Sequence, residues 1–343
     1  AALLGLACTI TSLAVVNPPA QAADTDVVIS ELMYQPATEL DSEEFLEITN
    51  TGTAGVDISG WCFGGITLCF PAATTIPAGA RWVVSPDPAR TLATYAATTA
   101  GTYTGSLKNS GEAITLKNAG GTTVDTVSYL DVAPWPVTPD GLGPSLELID
   151  PTADNNLPRN LAAATNNPGH TAGTANSVAG AIGPVLSSLT AAPQRPAANE
   201  SVTLTAQAAG ATGLTAYYRV DFGAEQSLAM ATTDNATYTA TLPGVAAGHL
   251  LRYRVVATNG AGQTALPRLD DTSRYQGVVA AHGITSQIPI FEWFIAPSDY
   301  NAITASPTAD LRRQAVLAYD GTVWDGVSAY IKGQSSQTAP KPS

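Results

Sequence analysis

Between Asp24 and Asp150 the apolar residues come in short runs, each stopped by a turn signal, and no amphipathic helix period is present. Val27-Val28-Ile29 opens the series, and Phe45 to Thr49 stops at Asn50-Thr51-Gly52. Val56 to Phe63, Ile66 to Phe70, Arg81 to Ser85, Ala113 to Lys117 and Thr123 to Tyr129 follow. Gly64-Gly65 and Asn118-Ala119-Gly120-Gly121 read as hairpin turns. So many short strands bury their apolar faces most economically as a β-sandwich.

A second pattern runs from Pro184 to about Ala281. Ser201 to Ala206 alternates with period two, and Tyr217 to Phe222, Thr237 to Leu242 and Leu250 to Thr258 follow. In the last run Tyr253, Val255 and Ala257 are expected inward, with Arg252, Arg254 and Val256 largely outward. Residues 151–183 are rich in Asn, Pro, Gly, Ala and Thr, which predicts a terminal wrap followed by a linker. From Ile284 the character changes again. Ile288 to Ile295 reads as a dense apolar strand, Ala309 to Ala318 as a short helix, and Tyr319 to Trp324 as a turn into another strand. Sixty residues of this kind are not expected to close a core, so the third segment is read as an incomplete α+β piece. The fold class expected is mainly β, two consecutive immunoglobulin-like β-sandwiches followed by that segment.

Ala1 to Val16 is almost wholly apolar or small, and Ala20-Gln21-Ala22 is a small-x-small pattern, as in a secretory signal peptide lacking its basic n-region. Cleavage is expected near Ala22-Ala23, giving a secreted or cell-surface chain with no membrane span. Gly5-Leu6-Ala7 before Cys8 makes a poor lipoprotein signal. Cys62 and Cys69 then remain, seven apart around Gly64-Gly65, and suit a disulfide in an oxidising compartment. A zinc site would need two further ligands, and the nearest histidine in sequence is His170. With a net charge of −13 and no cluster of Lys or Arg, the chain lacks the basic patch that nucleic acid or anionic lipid requires.

The stretches Val28 to Tyr34, Glu44 to Asn50 and Asp57 to Trp61 together resemble the lamin tail domain of bacterial secreted proteins. Phe70-Pro71-Ala72, Ile76 to Gly79, Leu107 to Leu116 and Gly143 to Leu148 continue the likeness in order, over about residues 26–176. It implies an immunoglobulin-like sandwich with Trp61 in its core. Leu251 to Gly260 is similar to the penultimate strand and turn of a fibronectin type III or bacterial immunoglobulin-like domain. Tyr319 to Val327, followed by Ile331 to Ser336 and Pro340 to Ser343, resembles the opening of the spore-coat CotH kinase-like family. The organisation expected is thus a leader at 1–23, a lamin-tail-like sandwich at 24–176, a linker at 177–183, an immunoglobulin-like sandwich at 184–281, and the start of a CotH-like domain at 284–343.

Phosphoryl transfer needs a phosphate cradle, metal-binding acids and a base together. In the CotH-like stretch, Lys332, Gly333, Ser335, Ser336 and Lys341 are candidates for the cradle alone. ATP and Mg are therefore implied for an intact parent, as a secreted atypical protein kinase, while this chain is expected to be non-catalytic and without a cofactor. Asp24 to Glu47 holds eight carboxylates, among which Glu39, Asp41 and Glu43 are weak calcium candidates. A solvated acidic edge that discourages strand pairing is the favoured reading. Of the aromatic residues Trp82, Tyr95, Tyr103, Tyr129 and Trp135, Trp135 between two prolines is the candidate ligand contact. His170, His249 and His282 lie far apart, near no nucleophile motif, and are read as solvated loop residues. The function expected is a monomeric, extracellular binding and spacer region that presents a CotH-like domain to an envelope, glycan or protein surface.

Overall fold

The computed structural model describes residues 23–331, and among them strands dominate. The first sandwich holds β1 (Val27–Met33), β2 (Phe45–Asn50), β3 (Val56–Asp57), β4 (Cys62–Gly64), β5 (Thr75–Ile76) and β6 (Arg81–Ser85). Helix α1 (Pro88–Tyr95) then leads to β7 (Thr99–Thr102), β8 (Gly111–Lys117), β9 (Thr123–Leu130), β10 (Leu146–Leu148) and β11 (Leu161–Ala163). One six-stranded sheet has the order β11-β10-β1-β2-β6-β7, faced by β4-β8-β9 and the pair β3-β5. Between them lie Leu32, Leu46, Ile48, Trp61, Ile114 and Tyr129, all buried.

Strand β2 is buried along its whole length. Leu46 and Ile48 face the sandwich interior, while Phe45 packs on the other side of the sheet with Met33, Val83, Ala97 and Ala172. Sequence reading expected no helix here. Yet β6 and β7 pair in parallel, which demands a crossover, and α1 supplies it. Asp87 caps the helix by accepting from the Arg90 amide at 3.0 Å, Pro88 occupies the first turn, and Ala96 closes it with φ 55°. The expected run Val56 to Phe63 is split by a turn at Gly60 (φ 70°), and Ile66 to Phe70 carries only isolated bridges, Thr67 to Thr104 and Cys69 to Cys62.

Cys62 and Cys69 form the expected disulfide, with Cα atoms 4.1 Å apart. It closes a short loop at the sandwich edge, where chain-entropy arguments give about 2 kcal/mol. Replacing both cysteines by serine is expected to lower the urea midpoint of the first sandwich accordingly. An unchanged midpoint would show that the hairpin is held by its strands alone.

The second sandwich holds β12 (Val185–Ala192), β13 (Val202–Ala209), β14 (Gly213–Val220), β15 (Gln226–Ala229) and β16 (Ala231–Thr232). It continues with β17 (Thr237–Leu242), β18 (Leu250–Thr258), β19 (Gln263–Leu266) and β20 (Gln276–Val279). The sheet β12-β13-β17-β16 faces β15-β14-β18-β19, with β20 also paired to β18. Leu204, Leu214, Tyr238, Leu242, Tyr253 and Val255 fill this separate core.

The third segment comprises β21 (Glu292–Ile295), α2 (Pro297–Ala305), β22 (Arg313–Tyr319) and β23 (Thr322–Ala329), with the sheet order β21-β22-β23. The helix expected at Ala309 to Ala318 is therefore corrected: most of that stretch is strand, and the helix starts earlier, at Pro297. Asp320 (φ 49°) and Gly321 (φ 80°) both adopt the left-handed region and join β22 to β23 as a two-residue hairpin. The segment Ile288 to Phe291 lies outside β21.

This third sheet docks on the second sandwich. Arg252 is 5% exposed, so the outward placement expected of it is corrected: β23 covers it. Its guanidinium donates to Asp325 Oδ1 at 2.9 Å and to the Asp221 carbonyl, and lies over the rings of Phe222 and Tyr275. Val256 is likewise buried. Gly277 of β20 admits the Val323 side chain, which a Cβ there would meet at 3.1 Å.

The two sandwiches are joined by more than the linker. Arg268 donates to the carbonyls of Pro158 (2.9 Å) and Leu161 (2.6 Å) while pairing with Asp270. Asp270 in turn accepts from the Ala163 amide at 3.1 Å, and its carbonyl accepts from the Thr138 hydroxyl at 3.0 Å.

Candidate functional site

The acidic residues of the first sandwich are not a solvated edge. Glu31, Glu43, Glu44 and Glu47 are all buried. Glu43 pairs with Arg90 and accepts from the Thr38 hydroxyl at 2.6 Å, whereas Glu39 and Asp41 stay exposed. The three calcium candidates therefore do not converge, and among the described residues no group of three or more His, Cys, Asp or Glu could hold a metal ion. Glu44 accepts from the Leu107 amide at 2.8 Å and the Tyr103 hydroxyl at 3.2 Å, and burial pushes its carboxyl up to about 7.

The remaining acids form a row. Glu147 on β10 pairs in register with Glu31 on β1, which pairs with Glu47 on β2. All three are fully covered by the chain at 165–178, the end of the expected wrap together with Ser177 and Val178 of the expected linker, which here pack on the first sandwich. Glu31 Oε1 accepts from the Ser145 hydroxyl (2.6 Å) and the Thr171 amide (2.9 Å). Glu47 accepts from the Ser30 hydroxyl (2.6 Å) and the Gly173 amide (2.8 Å), with Arg81 Nε 4.0 Å away. Glu147 Oε2 accepts from the Ser177 hydroxyl (2.8 Å) and the Val178 amide (3.2 Å). Burial, reinforced by the neighbouring Glu47 charge, pushes the Glu31 carboxyl up to about 8, and burial pushes Glu47 up to about 7. Sequence reading missed this row because its cover arrives more than a hundred residues after β1.

The other candidates are dispersed. Trp135 is 7% exposed and belongs to the first core, as do Tyr103 and Tyr129, and Trp82 packs against it. Tyr95 stacks edge-on between Phe45 (5.1 Å) and His170 (4.6 Å). His170 is thus not a solvated loop residue, and burial lowers its pKa. His249 contacts Asp221 at 2.7 Å and His282 contacts Glu292 at 2.5 Å. Lys332, Gly333, Ser335, Ser336 and Lys341 lie outside the described residues.

One surface was not anticipated. Trp293, Leu317 and Trp324 stand in register across β21, β22 and β23, so their side chains share one sheet face. Trp293 is 60% exposed and Trp324 43%. Strand spacing places these residues about 10 Å apart. Phe291, also exposed, stacks on Tyr319 at 4.5 Å. Exposed apolar rows of this kind serve contacts with other molecules. The signal was present in the sequence, as Trp293 within the apolar run Ile288 to Ile295 and Trp324 just after the Asp320-Gly321 hairpin.

Against known proteins, the Lamin Tail Domain family model matches residues 20–131. That match spans β1 to β9 and stops before β10, β11 and the covering segment. A search of curated proteins gave no match. Among solved structures, the Br derivative of BhCBM56 is 18% identical with a TM-score of 0.18, over 21% of this chain and 77% of that one. A pullulanase from Bacillus acidopullulyticus is 11% identical with a TM-score of 0.17, over 70% of this chain. The chain spans 29% of that pullulanase. Scores this low carry no argument about ligand or activity.

Proposed function

We propose that the chain is a non-catalytic, extracellular binding and presentation region, in which two jointed sandwiches hold the CotH-like segment toward an envelope or matrix surface. The observation that carries this reading is the Trp293–Leu317–Trp324 row, left open on a sheet that Arg252 and Asp325 fix to the second sandwich. A flat aromatic row suits stacking against the apolar faces of sugar rings or another apolar surface. The Cys62–Cys69 disulfide supports an oxidising compartment. No helix among the described residues is long and apolar enough to cross a membrane. The Asp320-Gly321 hairpin supports the strand order of the CotH resemblance.

Co-sedimentation with insoluble cell-wall and matrix polysaccharide preparations tests the reading. The chain is expected to be retained on at least one, and Trp293→Ala with Trp324→Ala to weaken retention at least tenfold, the loss of about 1.4 kcal/mol. Equal retention of the double variant, or no retention on any preparation, overturns it.

A further inference from the structure

The chain at 165–178 lies over the glutamate row and continues into the link to the second sandwich, where the Gly180 amide donates to the Ile149 carbonyl at 3.0 Å. Its contacts with the row require a proton. Thr171 Oγ1 lies 2.9 Å from Glu31 Oε2 and 2.7 Å from Glu147 Oε1. A hydroxyl has a single hydrogen, so it can donate to only one of these oxygens. The other pairing is a hydrogen bond only if its carboxyl supplies a hydrogen. The remaining contacts are alike: Glu31 Oε1 accepts from the Ser145 hydroxyl and the Thr171 amide, and Glu147 Oε2 accepts from the Ser177 hydroxyl and the Val178 amide, so each acid leaves one oxygen to Thr171. One proton thus serves the Glu31–Thr171–Glu147 line, and burial beside the Glu47 charge favours Glu31 as its holder. The chain of donors then runs from Glu31 Oε2–H to Thr171 Oγ1, and from Thr171 Oγ1–H to Glu147 Oε1.

We propose that residues 165–178 form a strap latched by this proton, and that its loss in mildly alkaline solution frees the strap and the link at 179–183 that follows it. Deprotonation would leave two carboxylate oxygens facing one hydroxyl hydrogen, with Glu47 as a third buried acid alongside. The direction agrees with the burial-raised Glu31 and Glu47. A carboxyl whose folded pKa lies above its ordinary value stabilises the fold fully below the ordinary carboxylate range. That contribution disappears as pH rises through about 7 to 8. The other groups around the row do not reproduce this window. The Arg81 guanidinium, 4.0 Å from Glu47, works against the rise of that carboxyl, burial raises the Tyr95 phenol beyond the window, and burial lowers His170, so its titration falls below it. On the inner side of β1, Asp125 is raised from the low carboxylate range while accepting from the Ile29 amide at 2.6 Å.

Hydrogen exchange on the whole chain at pH 6 and pH 9, corrected for intrinsic base catalysis, reads the latch directly. Protection of the Thr171, Gly173 and Val178 amides is expected to fall at least tenfold at pH 9, while β2 amides keep theirs. Glu31→Gln places a permanent N–H donor against Thr171 and cannot ionise, so its strap is expected to stay equally protected at both pH values. A wild-type strap that is as protected at pH 9 as at pH 6 overturns the proposal. So does a Glu31→Gln strap that opens in parallel with wild type. Should that variant fail to fold, the wild-type comparison of strap against β2 decides alone.

Discussion

Truncating Asp325 to alanine is expected to release the third sheet from the second sandwich while both sandwiches stay folded. In the docked arrangement the Arg252 guanidinium would be buried without its acidic partner, although the Asp221 carbonyl still accepts two of its hydrogens. Breaking one side of a buried ion pair costs about 3 to 5 kcal/mol, and the surviving carbonyl bonds place this case near about 3. The loss falls on docking because Asp325 belongs to β23 and its Oδ2 also accepts from the Tyr275 amide at 3.2 Å. Limited proteolysis checks this: new cleavage is expected between Ala281 and Glu292, with the sandwiches intact. A combined Arg252→Met and Asp325→Leu variant, which buries no charge, is expected to restore protection. Unchanged cleavage in Asp325→Ala would show that Val323 over Gly277 suffices.

Trp61→Ala carries the other large effect. Trp61 follows the turn at Gly60 and fills the space between the two sheets of the first sandwich. Removing a buried indole leaves a cavity that flanking strands cannot collapse into, and such losses cost about 3 to 5 kcal/mol. For a core of this size the thermal transition is expected to drop by about 10 °C. The second sandwich has its own buried set, so its transition is expected to stay in place. Calorimetry resolving two transitions checks this. A common shift of both would mean the joint couples the cores into one cooperative unit.

Strand period and turn chemistry made much of the β architecture legible. Thr237–Leu242 and Leu250–Thr258 occur as the sequence bounds them, the first because it alternates cleanly and both because they end at turn residues. The disulfide was legible from two thiols around a glycine pair. Helix α1 was not, because it buries Thr91 and exposes Leu92, so no apolar stripe announces it. Strands β10 and β11 span three residues each, too few for any period. The glutamate row was hidden for a different reason. A charged residue in a strand reads as outward, and outward normally means wet. Here the outer face of β2 is roofed by α1 and by a strap rich in small polar residues, whose amides and hydroxyls satisfy the carboxyls. Arg252 was misread in the same way, its cover coming from β23. Local pattern specifies which way a side chain points, and only the later chain specifies what it meets.

The joint between the sandwiches distributes its requirements unevenly. Pro158, Leu161 and Ala163 take part through main-chain atoms, which every amino acid offers (only Ala163 must avoid proline, since it donates its amide). Arg268 and Asp270 contribute most of the side-chain chemistry, and the first sandwich adds the Thr138 hydroxyl and the Arg159 guanidinium, which donates to the Gly183 carbonyl at 3.3 Å. Sequence drift at Pro158, Leu161 and Ala163 can thus proceed with the hinge angle preserved, whereas a change at Arg268 or Asp270 would loosen it. The orientation of one sandwich against the other leans mainly on two side chains of the second.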